Sequence, residues 1–289
     1  MNGTPIVVPD VLSNGPETVE KLFKLLNTPP LSGPVFLDMA GVSWIQPYGA
    51  VSLHGFCRYL KQLTREPVRF VRLRKKIHAY LRRIDFFTCE NDIVSPTEVF
   101  RPSDDLSRSP ASSTVLELFP IQTQKDVYEV ASRGRRILTS WLEDAKDDID
   151  RIVSLVSEAC GNVVDHSGDM GMVMIQKYDH RCFVEIELAI SDLGKGIRRS
   201  LLVKHEDLSD TSSGFIERAL AGLSARPGER GGQGLGTIQR IATASGGALY
   251  IRSETGSVQT KSTGRFSHND RPFFPGTQIA ITFRSNVRR

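Results

Sequence analysis

The stretch Ser157-Glu158-Ala-Cys-Gly-Asn162-Val-Val-Asp-His166 decides how the second half of this chain reads. It closes an amphipathic run that starts near Asp147, with Ile149, Ile152, Val156, Ala159 and Val163 at helical spacing. Glu158, Asn162 and His166 fall at i, i+4 and i+8, so one helix carries them on a face away from that stripe. Asp147 and Asp148 suit the positive N-terminal end of such a helix. A solvated face accounts for a carboxylate, an amide and an imidazole. It does not account for Asn162 beside Gly161 in mid-helix, where the glycine alone costs roughly 1 kcal/mol relative to Ala. The carboxamide oxygen of Asn162 is a hard, neutral ligand that suits Mg²⁺, an ion that takes its other ligands from water and phosphates. A carboxylate one turn away, Glu158, is placed to orient a water or hydroxyl for attack on a γ-phosphate.

Two glycine-bearing pieces follow in order. Asp192-Leu-Gly194-Lys-Gly196-Ile197 begins where a strand ends, with Asp192 on the same face as the apolar Ile190. A carboxylate there needs partners. An adenine amino group is one; the N–H groups of its own turn are the other. Gly194 and Gly196 allow positive φ or close approach of a ligand. Gly231-Gly232-Gln-Gly234-Leu235-Gly236 then leads into a helix patterned by Leu235, Ile238, Ile241 and Ala242. A glycine turn at a helix N-terminus aims free N–H groups at an anion. No Gly-Lys-Ser/Thr follows, so this is not a P-loop, and the strand-then-GxGxxG context of a dinucleotide fold is missing.

Elsewhere the chain alternates. Val35–Asp38 and Pro67–Leu73 read as strands, Gly49–Leu63 and Ile77–Ile84 as helices, an order that implies a small α/β layer domain over residues 1–100. Residues 101–114 are poor in apolar side chains and rich in Ser and Pro, and read as a linker. Residues 115–289 carry a strand at Val115–Phe119, helices over about 125–142 and 147–166, and strands over 171–178 and 182–191. Helices near 215–223 and 235–245 and strands over 248–253 and 277–283 complete them. The expected architecture is an α/β sandwich, a mixed sheet with helices stacked on one face.

Composition excludes more than it selects. Of 289 residues, 39% are hydrophobic and 24% charged, as in ordinary globular proteins. No apolar run approaches the roughly 20 residues of a membrane helix, and the N-terminus shows no basic stretch followed by an apolar one. Cys57, Cys89, Cys160 and Cys182 are scattered, which reads as reduced, buried thiols of a cytoplasmic protein rather than zinc ligands. Eight Lys/Arg lie between Arg65 and Arg83. Without an accompanying aromatic motif they read as a solvated helix face rather than a patch for an acidic partner or nucleic acid.

Taken together, the boxes resemble the GHKL superfamily of ATPases: histidine-kinase catalytic domains, Hsp90, gyrase B, MutL and the anti-sigma-factor serine kinases. Glu158/Asn162 is similar to its N-box, Asp192-x-Gly194-x-Gly196 to its G1 box, and Gly232-x-Gly234-Leu235-Gly236 to its G2 box. Gly276-Thr277 resembles the final Gly-Thr before the last strand. The resemblance covers about residues 115–285. It implies a Bergerat fold that binds ATP with Mg²⁺: Asn162 on the metal, Asp192 on the adenine N6, and Glu158 as general base. Ile197, Leu235 and Thr277 join the nucleotide-binding set. Residues Arg198–Gly231 would be a mobile ATP lid, with Arg226 and Arg230 as candidate phosphate contacts. His166 either approaches the phosphates or is structural. Glu-x-x-x-Asn-x-x-x-His is most similar to the anti-sigma-factor kinases. A sensor histidine kinase would need an acceptor histidine on a helix ahead of the N-box, and His54 and His78 lie in the other half.

Val35-Phe-Leu-Asp-Met-Ala-Gly-Val-Ser-Trp-Ile-Gln-Pro-Tyr-Gly49 resembles the STAS domain of anti-sigma-factor antagonists, and Leu81–Phe87 its closing segment. Those antagonists carry a phosphorylatable Ser just before the glycine, whereas Gln46-Pro47-Tyr48 stand here and Ser43 and Ser52 are displaced. The resemblances imply a Mg-ATP-dependent serine/threonine protein kinase with a STAS-like docking or regulatory module. A nucleotide-driven switch or clamp without kinase activity is the alternative. Expected partners are proteins (a STAS-type antagonist, a sigma-like factor or another regulator) or a second copy of the chain, with no membrane and no nucleic acid.

Overall fold

The strand and helix periods of the first hundred residues close into a parallel sheet. In the computed structural model, which describes residues 6–27, 33–90, 92–96, 115–142, 145–224 and 233–286, the chain divides into two compact units, Met1–Ser112 and Ser113–Arg289. In the first, strands β1 (Ile6–Val7), β3 (Phe36–Asp38), β5 (Val68–Val71) and β6 (Val94–Pro96) pair side by side in the order β1-β3-β5-β6, all parallel. A separate parallel pair joins β2 (Val11–Leu12) to β4 (Trp44–Ile45). Three helices connect them: α1 (Pro16–Lys24), α2 (Pro47–Thr64) and α3 (Lys75–Arg83). Pro47 opens α2, where its missing N–H and fixed φ are an advantage. Gly49 lies against the backbone of Leu12 with no space for a Cβ. Asn14 ties the same corner: its Oδ1 accepts from Tyr48 N at 3.0 Å, and its own N–H donates to Gln46 Oε1 at 3.1 Å. The eight basic residues between Arg65 and Arg83 are all exposed. Arg72 forks onto the buried Asp38, and its hydrogen bonds hold that carboxyl below the usual range.

The second unit is a seven-stranded sheet in the order β12-β11-β10-β13-β9-β8-β7. Its strands are β7 (Val115–Ile121), β8 (Gly171–Asp179), β9 (Val184–Asp192), β10 (Ala248–Glu254), β11 (Gly256–Lys261), β12 (Gly264–His268) and β13 (Phe274–Ser285). Every pairing among them is antiparallel, which corrects the mixed sheet expected from the sequence. The connections explain it. Two helices, α4 (Gln124–Leu142) and α5 (Lys146–Asn162), stand between β7 and β8 as a hairpin, with Arg135 paired to Asp150 across it at 2.6 Å. Three reversals of direction then leave β8 antiparallel to β7.

Three more helices follow β9: α6 (Gly196–Leu202), α7 (Ser212–Leu220) and α8 (Gln233–Ala244). Val184, Ile186, Leu188 and Ile190 share one face of β9, as alternation predicts. With Val173, Ile175, Ile251, Ile279 and Ile281 they form a core against the apolar stripes of α4, α5 and α8. The other face of β9 is covered too, since Glu187 is only 3% exposed, so the half-buried strand expected is buried on both sides. Cys182, in the β8–β9 turn, is exposed and Cys89 partly so, while Cys57 and Cys160 are buried; all four are free thiols. Among the described residues no helix is long and apolar enough to cross a membrane.

Candidate functional site

The face of α5 that borders its apolar stripe, with Ala159 and Val163 at the edge, looks into a cavity of about 100 Å³. Glu158 and Asn162 come from α5 itself. The helix does not stop at Asn162 but widens into a π turn, Val163–Ser167, closed by Gly168 at φ 74°. That turn carries His166 and Ser167 onto the same wall. π turns inside helices are recurrent features of functional sites. Opposite walls come from Ile190 and Asp192 at the end of β9, Gly196 and Ile197 at the start of α6, and Gly234 and Leu235 at the start of α8. Thr277 and Ile279 of β13 lie on it too, as do Ser200 and Leu201 of α6, Ala219 of α7, and Leu223 and Ser224 beyond it.

Asp192 is 4% exposed. Its Oδ1 accepts from Gly194 N at 2.8 Å and Thr277 N at 3.3 Å. Desolvation still dominates and pushes its pKa up to about 6, with the charge of Asp169 acting in the same direction. Its own turn therefore supplies a partner, and the carboxylate also forms part of the cavity wall. Gly276, at φ 76°, makes this possible: a Cβ there would strike the Asp192 backbone. Ser253 links the pieces, donating to Gly276 O at 3.0 Å and accepting from Ile197 N at 3.0 Å.

The glycines do different work. Gly196 has φ 72°, as the turn into α6 requires. Gly194 is packed against Ser167, with no space for a Cβ, and is not on the cavity wall. Gly236 likewise faces Leu220 O, where a Cβ would come within 2.8 Å. Gly234 is on the wall, directly against the Glu158 carboxylate. Gly161 has open space around it, so only Asn162 remains as the unusual choice near the end of α5. Arg226, Arg230 and Gly232 lie outside the described residues. Of the expected lid, residues 198–224 form α6, α7 and their connections, with Leu201, Phe215 and Leu220 buried. Ser167 and Ser253 had no signal in sequence: each is a lone serine in a segment whose pattern predicts only helix or strand.

The donor set fits Mg-ATP. Asn162 Nδ2 is buried with no partner among the described residues, so this amide is held by the cavity rather than by a protein hydrogen bond. Which amide atom faces inward is exchangeable by a flip. Among the described residues no group of three or more His, Cys, Asp or Glu is arranged to hold a metal. One amide oxygen is nevertheless enough for an ion ligated chiefly by phosphate and water. None of the described residues on the wall is Lys or Arg.

Residues 147–284 match the family described as histidine kinase-, DNA gyrase B-, and HSP90-like ATPase. No curated protein matches the chain.

Proposed function

We propose, from the match of residues 147–284 to the histidine kinase-, DNA gyrase B-, and HSP90-like ATPase family, that the chain is a Mg-ATP-dependent serine/threonine protein kinase of anti-sigma-factor type. One observation carries the reading. Glu158 and Asn162 of α5, Asp192 at the end of β9 and Thr277 of β13 line a single cavity. The residues proposed for the nucleotide and the proposed base therefore share one cavity.

In this reading Asp192 accepts the purine amino group and Thr277 sits beside it. Asn162 would hold Mg²⁺, which supplies positive charge to the phosphates. Glu158 takes the proton from an acceptor hydroxyl of a protein partner as that oxygen attacks the γ-phosphorus and ADP leaves. Gly234 and the first turn of α8 present backbone N–H groups to the phosphates. Arg226 and Arg230 are the proposed cations for that end. Residues 1–100 serve as a STAS-like docking module. The absence of a serine before Gly49, with Asn14 and Gln46 filling the start of α2, supports docking without phosphorylation of that turn.

The test is incubation of the full chain with γ-labelled ATP and Mg²⁺, alone and with the proteins encoded beside it. Label on a serine or threonine of a partner is the expected result. Label found only as free phosphate would instead make the protein a nucleotide-driven switch, and a Glu158→Ala variant that still phosphorylates the partner normally would remove the role of the base.

A further inference from the structure

Helix α3 carries a cationic face that the core of its own unit does not use. A helix turns by about 100° per residue, so Lys75, Lys76, Arg82 and Arg83 fall within about 120° of one another, around Ala79. All four are exposed. Ile77, Leu81 and Ile84 turn the other way and are buried. Arg74 and Arg65 extend the charge beyond the helix, and both are exposed. From Arg65 to Arg83 the one acid is Glu66. Arg72 and Arg69 are left out of this surface, because Arg72 forks onto Asp38 and Arg69 lies over the Phe36 ring at 5.7 Å.

Spacing alone reads these cations as solvated. Their place on α3 argues for use. Arg74 is the N-cap and makes no side-chain capping bond; Lys75 and Lys76 fill the first two helical positions, and the first turn holds no acid. Cations at that end oppose the helix macrodipole. Helix α5 shows the favourable arrangement, with Asp147 and Asp148 in its first turn. The sequence thus accepts a cost in stability to concentrate positive charge on this face.

We propose that the outer face of α3 is a docking surface for an acidic segment of a protein partner. Charge complementarity names the occupant: Arg74, Arg82 and Arg83 carry planar forks that match carboxylates, and arginine clusters are a recurring means of reading acidic motifs. Phosphate suits the same forks, so nucleic acid and anionic lipid are the competitors. The face offers neither of them anything further. No aromatic side chain falls within the cationic arc to stack a base. Among the described residues, none of the exposed large apolar side chains lies on α3 to enter a lipid layer. The surface belongs to the first unit and acts whether or not the second transfers phosphate.

The probe is a fluorescein-labelled peptide of about twelve glutamates, followed by anisotropy on the full chain at about 0.05 M and about 0.3 M salt. Binding at the lower salt that weakens by about tenfold or more at the higher is expected. Lys75→Glu/Lys76→Glu should lower the affinity by about tenfold or more while melting at or above the parent temperature, since acids suit that helix end. Lost binding is then lost surface rather than lost fold. Arg82→Gln/Arg83→Gln, at the other end of the face, should weaken binding in the same direction. Lys125→Glu/Lys261→Glu makes the same change of charge in the second unit and should leave the affinity within about twofold. A peptide that does not bind, or an equal loss in the two glutamate variants, overturns the proposal. So does tighter binding, at equal salt, to a DNA duplex or to vesicles containing phosphatidylserine.

Discussion

The Glu158 carboxylate lies flush against Gly234, in the space where any other residue at that position would carry its Cβ. The contact joins α5 to the second residue of α8. It sets a negative group at a helix N-terminus, where the macrodipole favours it. The same turn is where phosphate oxygens are proposed to bind. Glu158 therefore occupies space beside the turn proposed for the phosphates.

Gly234→Ala tests this contact. The added methyl meets the far end of a flexible side chain, not backbone, so Glu158 moves aside at little cost to the fold. Alanine also favours the helix by up to about 1 kcal/mol. The melting temperature should stay level or rise. Phosphate transfer or release should fall by about tenfold or more, because the base is forced out of place. Single-turnover kinetics beside a thermal melt separate the two effects.

Gly276 and Gly161 should respond in opposite ways to the same change. Gly276→Ala puts a side chain at φ 76° and against the Asp192 backbone, neither of which can yield cheaply. A loss of about 2 kcal/mol or more is expected. Gly161→Ala sits in α5 with nothing within 4 Å of the new atom. A gain of about 0.5–1 kcal/mol is expected from helix propensity alone. Urea unfolding of the two variants side by side reads both signs.

The site was legible because its residues come in short contiguous boxes whose spacing matches the local structure. Glu158 and Asn162 are one helical turn apart, and Asp192 follows a clean alternation in β9. What escaped the sequence was what contacts create at long range. Ser253 is one polar residue inside a strand, and only the fold brings it to Gly276 and Ile197. The hairpin β11–β12 was missed because all five residues of β12 are exposed, so no apolar alternation marks it. The direction of the sheet was misread because helix and strand periods do not report how many reversals lie between two strands. Helix α6 is short and opens on a glycine, so the box hid the helix.

Asn162→Ala should separate metal-dependent from metal-independent binding. The amide nitrogen it removes is buried without a partner among the described residues, so no protein hydrogen bond is lost. Stability is expected to change by less than about 1 kcal/mol. Calorimetric titration with ATP should show the parent binding more tightly with Mg²⁺ than with EDTA. In Asn162→Ala the two affinities should converge on the EDTA value. A variant that keeps the full Mg²⁺ effect would show that the ion is held elsewhere.

Asp192→Asn should stabilise the ligand-free protein while disabling it, and the pH dependence gives the sign. The folded pKa of Asp192 is raised to about 6 from the ordinary 3.8. The folded state thus binds the proton more tightly than the unfolded one. Stability drawn from that proton is fully present below the unfolded value and is lost as pH rises through about 6. Above that pH the buried charge is an uncompensated cost of order 1–3 kcal/mol. Asparagine is neutral and keeps an oxygen for Gly194 N and Thr277 N. Its advantage over the wild type should therefore be full near pH 8 and vanish near pH 4, a window set by those two pKa values. Adenine-nucleotide affinity should fall by about tenfold or more in the same variant, since an amide nitrogen cannot accept from the purine amino group. Thermal melts at the two pH values and one nucleotide titration check it. Equal stabilisation at both pH values would mean that Asp192 is not the buried charge responsible.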